Sequence, residues 1–139
     1  MHRRGVTLID QLLVLVLLGV LLALAVHTGA RLRDRLAVRT AASAVRDALA
    51  LAREHAVAGG QRVAVRFARV DGTVTVHAAD DSLLRLRLAE THGVSLSATR
   101  DSTAYLPSGL GVGGANLSLV LQRGEAADTV IVSRLGRVR

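Results

Sequence analysis

Apolar and polar positions fall into three regimes along this chain. From Leu12 to Val26 the sequence reads LLVLVLLGVLLALAV, an unbroken apolar run in which Gly19 is the least apolar member. Counted back to Val6, the stretch admits only Thr7, Asp10 and Gln11 as polar residues. As a helix it measures roughly 31 Å at about 1.5 Å per residue, the thickness of a bilayer's hydrocarbon core. A secretory signal core is shorter, about 7–15 residues before a small-residue cleavage site, and Ala23-Leu24-Ala25 is a poor site of that kind. The pattern therefore predicts a retained transmembrane helix over 6–28, followed by a second region over 29–139. Arginines flank the run on both sides (Arg3 and Arg4 before it, Arg31, Arg33, Arg35 and Arg39 after), so charge alone assigns no orientation.

The second regime has a helical period. Leu32, Leu36, Val45, Leu49, Ala52 and Ala56 follow three- and four-residue spacing and predict one apolar helix face. Gly29 is a weak point in this helix. Arg39, Arg46 and Arg53 recur every seven residues beside Asp47 and Glu54 and mark a solvated flank. Gly59-Gly60 is the expected stop.

Beyond Gly60 the period becomes two. Val63, Val65 and Phe67 alternate with Arg62 and Arg66, Asp71-Gly72 signals a hairpin, and Thr73 to Val76 returns as its partner. Leu84, Leu86 and Leu88 predict a third strand and Val94 to Ser97 a fourth. Leu117 to Leu121 and Thr129 to Val132 form a last hairpin across a polar loop, Arg123 to Asp128. A long helix followed by consecutive strands predicts an α+β fold with an antiparallel sheet.

Composition narrows the function. The chain has 139 residues, a formal net charge of +7 and no cysteine. Disulfides, thiolate metal sites and cysteine nucleophiles are thereby excluded. Phe67 and Tyr105 are the only aromatic residues, so the core is built from aliphatic side chains. All basic residues are arginine, a balance compatible with a nucleic-acid or anionic-lipid partner without demonstrating one. Gly109, Gly111 and Gly114 spell GxGxxG, but a strand pattern follows where a phosphate-binding loop needs a helix N-terminus. His2, His27, His55, His77 and His92 lie at no metal-binding spacing, and no GxSxG nucleophile motif occurs. The sequence thus predicts no catalytic residue, metal or cofactor.

The segment Arg3-Arg4-Gly5-Val6-Thr7-Leu8-Ile9-Asp10, placed directly before a span of membrane length, resembles the processing site of type IV prepilins and type II secretion pseudopilins. The resemblance implies a leader over 1–5, cleavage after Gly5 by prepilin peptidase, and N-methylation of the new terminus at Val6. It implies a single-pass inner-membrane protein with a cytoplasmic N-terminus and a periplasmic C-terminal domain, later built into a filament with other pilin or pseudopilin subunits. Asp10 stands where the family places an acid, usually Glu, that pairs with a neighbouring subunit's amino terminus; Val6 stands where Phe is usual. In a water-poor filament core each of those charges needs its partner.

The rest of the chain resembles the GspH/FimT class of pseudopilins. The resemblance rests on Ala48 to Ala56 before Gly60 and a Val-rich strand, on Tyr105-Leu106-Pro107-Ser108-Gly109, and on Val130 to Ser133 running into Gly136-Arg137-Val138-Arg139. It implies a pilin-like fold and a non-enzymatic role as a minor pseudopilin of type II secretion, or alternatively as a type IV pilus minor pilin that contacts double-stranded DNA. For the alternative, Arg134, Arg137 and Arg139 are the candidate contacts: Arg137-Val138-Arg139 in extended form puts two guanidinium groups on one side, where each can grip phosphate oxygens.

Overall fold

A computed structural model describes residues 8–79, 81–112, 116–133 and 135–139. Gly5, Val6, Gly114 and Arg134 lie outside the described residues. The chain divides into two compact units, one ending at Arg33 and the other beginning at Asp34.

A single helix, α1, runs from Leu8 to Gly59. No proline interrupts it, and Thr28 and Thr40 satisfy their hydroxyls on the carbonyls of Leu24 and Leu36, each at 2.9 Å. Within the first unit its large apolar side chains point outward: Leu12 to Leu24 and Val26 are all more than half exposed. Such a surface is stable against lipid and costly against water. The helix is long and apolar enough to cross a membrane.

In the second unit α1 buries Val38, Ala41, Ala42, Val45, Ala48, Leu49, Ala52 and Ala56. The core face therefore includes Val45, Leu49, Ala52 and Ala56, as the spacing predicts, but not Leu32 and Leu36, which are 57% and 54% exposed. Alanines take their place. Small side chains let the helix approach the strands closely, and the period read from large residues alone does not see them. Gly60, at φ +61°, follows the last turn in the left-handed conformation.

The strands form two antiparallel sheets rather than one. β1 (Val63–Ala68), β2 (Thr73–Ala78), β3 (Asp81–Arg87), β5 (Ser102–Tyr105) and β6 (Gly111–Val112) are ordered β3-β2-β1-β5-β6. β4 (Ser95–Ala98), β7 (Leu117–Arg123) and β8 (Ala126–Val132) are ordered β4-β7-β8. Val63, Val65, Phe67, Val74 and Val76 from the first sheet join Leu96, Leu117, Leu119, Leu121, Val130 and Val132 from the second in one core against α1.

Two further differences from the sequence reading have local causes. Leu88 does not continue β3; it opens a short helix, α2 (Leu88–His92), where its side chain is buried and its N–H reaches Gly72 O at 2.9 Å. The polar segment Arg123 to Asp128 is mostly strand, because Arg123 pairs with Ala126 and Asp128 with Leu121. The turn shrinks to Gly124-Glu125, with Gly124 at φ +56°.

Candidate functional site

The C-terminal tail is a short antiparallel addition to β8. Ile131 N–H donates to Arg139 O at 2.9 Å, Arg139 N–H donates back to Ile131 O at 2.8 Å, and Val132 faces Val138. The reversal is closed by Ser133 N–H to Arg137 O at 2.8 Å, Gly136 N–H to Ser133 O at 2.9 Å, and Arg137 N–H to Ser133 Oγ at 3.1 Å. Alternation then fixes the side chains: Val138 packs against the core while Arg137 and Arg139 are exposed. Neither guanidinium pairs with a described residue.

The tail rests on Tyr105. Gly136 has φ +75°, and a Cβ there would lie 2.8 Å from Tyr105 Cε1 and 3.1 Å from Gly111 N. Only glycine fits both the conformation and the space. Tyr105 is wholly buried, and its Oη has no hydrogen-bond partner among the described residues. Burial raises its pKa from the ordinary value of 10.0, and the charge of Arg53 pulls it back in part. Gly109, at φ +75°, closes the same corner against Arg53 and Val57 of α1, where its added Cβ would meet Arg53 Nε and Val57 Cγ2 at 3.3 Å. Between this stretch of α1 and the tail lies a groove of about 530 Å³, lined by Leu49, Arg53, Val57, Gly136 and Val138 among others. Tyr105 to Gly109 and Gly136 to Arg139, far apart in sequence, thus meet at one place.

Asp10 lies apart from this corner in sequence, in the first described turn of α1, and is exposed. Gly109 sits in a turn and Gly111 in β6; Gly114 lies outside the described residues, and the next described element is the strand β7 from Leu117. No group of three His, Asp or Glu side chains is placed to hold a metal ion among the described residues. Arg46 is not simply solvated, as the seven-residue spacing suggested. It is partly buried and pairs with Asp128 of β8 at 3.4 Å. A second partly buried pair, Arg123 with Asp34 at 2.9 Å, ties β7 to α1 and had no short-range signal in the sequence. Tyr105's part in seating the tail was equally invisible, except that Gly136 is a residue suited to close backbone approach.

Three comparisons bear on this arrangement. The family model described as type II transport protein GspH matches residues 41–136, from the core face of α1 through both sheets to the tail glycine. Among solved structures, the type IV minor pilin FimU of Pseudomonas aeruginosa superposes with a TM-score of 0.62 at 12% identity, over 73% of this chain and 86% of that one. The minor pseudopilin EpsH from the type 2 secretion system of Vibrio cholerae superposes with a TM-score of 0.59 at 18% identity, over 73% of this chain and 94% of that one. A second EpsH structure gives a TM-score of 0.60 at 16% identity, over 76% and 93%. At these identities the structures establish the fold, which is pilin-like, with a long N-terminal helix on antiparallel sheets. No curated protein sequence matches the chain significantly. The match over 41–136 covers most of the chain, and the chain belongs to the GspH family.

Proposed function

We propose that the chain is a minor pseudopilin of a type II secretion system, inserted in the bacterial inner membrane and assembled into the pseudopilus or its tip to support protein secretion. The family match over 41–136 is the observation that carries this reading. The outward-facing apolar stretch of α1 supports a membrane anchor. Prepilin peptidase cuts after Gly5 and Val6 receives the methyl group, leaving the N-terminus cytoplasmic before assembly and the sheet-bearing unit in the periplasm. Asp10 then pairs with the amino terminus of an adjacent subunit, an ion pair favoured where water is scarce. The role is structural and requires no catalytic group.

Intact-mass measurement of the membrane-extracted protein tests processing: the expected species is Val6–Arg139 plus one methyl group. A species that retains 1–5 in cells with active prepilin peptidase sinks the reading. A deletion strain assayed for exoprotein secretion and for transformation decides the system; loss of secretion alone is expected.

One observation favours the second reading, a minor pilin that contacts double-stranded DNA. Both backbone hydrogen bonds of Arg139 are made to Ile131, so Arg137 and Arg139, which pair with no described residue, are held on an ordered tail rather than on a loose end. The deletion strain would then lose transformation instead.

A further inference from the structure

The tail covers only part of the outer edge of β8. Ile131 turns both its N–H and its C=O toward Arg139, away from β7. In an antiparallel ladder such outward-facing residues alternate, so Thr129 and Ala127 turn the same groups to the same edge. Thr129 N–H accordingly donates to the Oδ1 of Asp128 at 2.8 Å. Among the described residues, the tail's hydrogen bonds reach back along β8 only as far as Ile131. Ala127 N–H and the carbonyls of Ala127 and Thr129 are therefore presented at an open edge, on residues that are exposed.

This stretch borders a cavity of about 420 Å³ whose other wall is α1. Arg35 and Arg39 line that wall with Val38, and Ala126, Ala127 and Asp128 line the strand side. Both arginines are exposed and make no ion pair with any described residue. The acids at the cavity do not neutralise them: Asp128 is held by Arg46 at 3.4 Å, and Glu125 has a partner of its own. The cavity thus joins two guanidinium groups to backbone donors and acceptors that the sheet does not use. A small anion answers the arginines and the N–H but leaves the carbonyls unmatched. An extended peptide supplies both kinds of backbone group. Its side chains also fit the spacing. Arg35 and Arg39 are one helical turn apart, about 6 Å of rise, and alternate residues of a strand stand about 6.7 Å apart.

We propose that an extended acidic segment of another protein adds to the open edge of β8 at Ala127 and Thr129. Its backbone bonds to those two residues, and two carboxylates at alternate positions pair with Arg35 and Arg39. Adjacent acids do not serve, because neighbouring side chains of a strand point to opposite faces. A second copy of this chain is not the occupant: nowhere in its sequence do two acids stand at alternate positions.

The test uses the full-length chain in detergent and a labelled threonine peptide carrying two glutamates separated by one threonine. Saturable binding at low salt is expected, and amide exchange at Ala127 should slow at least fivefold in the complex. The same peptide with its two glutamates adjacent should bind several-fold more weakly. Arg35→Ala/Arg39→Ala should weaken binding of the first peptide about tenfold. Ala127→Pro removes the N–H on the open edge, where proline is tolerated, and should weaken it about fivefold. Should Ala127→Pro lower the melting midpoint, exchange at Ala127 in the original chain decides in its place. An arginine effect without any change at Ala127 means a purely ionic contact and overturns strand addition. Equal binding of the two peptides overturns it too, as does no binding at low salt. Protection of the Ala127 amide that rises with protein concentration, without peptide, means that a second copy covers the edge and overturns the assignment of the partner.

Discussion

Arg123 Nε donates to Asp34 Oδ1 at 2.9 Å, with both side chains less than a third exposed. The same guanidinium donates through a second nitrogen to His92 O, so one side chain joins α1, the end of β7 and the exit of α2. Asp34 is the first residue of the second unit. Arg123→Ala leaves a partly buried carboxylate and a carbonyl without their donor and is expected to cost about 1–3 kcal/mol. Arg123→Lys, which cannot fork to two acceptors, should recover only part. Thermal melting of the detergent-solubilised chain measures both; an unchanged midpoint for Arg123→Ala would show the pair to be incidental.

Gly136→Ala tests the seat of the tail. The new methyl group meets the Tyr105 ring at 2.8 Å and demands a left-handed backbone, so the tail must shift or lift. A loss on the order of 2 kcal/mol is expected, together with faster amide exchange at Ile131 and Arg139, whose N–H groups hold the tail to β8. Loss of stability without faster exchange at those two amides would place the damage in the core instead.

Tyr105→Phe has a pH signature. The buried hydroxyl lacks a partner, so its removal should leave stability at neutral pH unchanged or raise it by up to about 1 kcal/mol. Burial raises the native pKa above the ordinary 10.0. Below pH 10 both folded and unfolded chains hold the phenolic proton. Above it the unfolded chain releases the proton first, and stability falls until the pH passes the native pKa. Denaturation midpoints between pH 8 and 11 should therefore decline for the original chain and flatten for Tyr105→Phe. Parallel declines would assign the alkaline loss to other groups.

The parts of this fold that could be read from sequence are those written in short-range pattern. Val63, Val65 and Phe67 alternate because one face of β1 meets the core, and Asp71-Gly72 marks a turn because Gly72 adopts φ +58°. What escaped reading depends on partners distant along the chain. Ala41, Ala42 and Ala48 carry no large apolar signal, yet they form the core face that Leu32 and Leu36 were expected to form. Ala126 and Asp128 look like loop residues until β7 supplies the ladder and Arg46 the counter-charge. The division into two sheets depends on β5 pairing with β1 rather than with β4, its neighbour in sequence. For the candidate site, exposure of Arg137 and Arg139 followed from alternation, whereas the support beneath them needed Tyr105 to be brought under Gly136.

Asp10 separates insertion from assembly. If its carboxylate serves a neighbouring amino terminus, Asp10→Ala should insert as well as the original or better, because a charge near the apolar span is removed. Incorporation into sheared filaments should fall sharply. Asp10→Glu keeps the charge, extends its reach by one methylene and should assemble at least as well. Equal incorporation of Asp10→Ala would reduce the residue to an interfacial one.

The tail arginines decide between the two readings of function through salt dependence. Phosphate contacts carry affinity without a sequence code, so a DNA-binding tail should hold unrelated duplexes equally. The log–log slope of affinity against salt steepens by about 0.9 for each phosphate neutralised. Arg137→Ala/Arg139→Ala should thus flatten the slope by roughly two. Single strands should gain nothing, since Tyr105 is buried and Phe67 nearly so, and neither offers a face for a base to stack on. The control must remove two charges that are equally exposed and unpaired. Arg46 fails that requirement because Asp128 already holds it. Arg35 and Arg39 meet it: both are exposed on α1 and pair with no described residue. Arg35→Ala/Arg39→Ala should leave the slope of the solubilised full-length chain nearly unchanged if the tail is the reader. Equal flattening by the two double variants would reveal a diffuse charge effect, and no binding at low salt would leave the tail a structural strand of the secretion subunit.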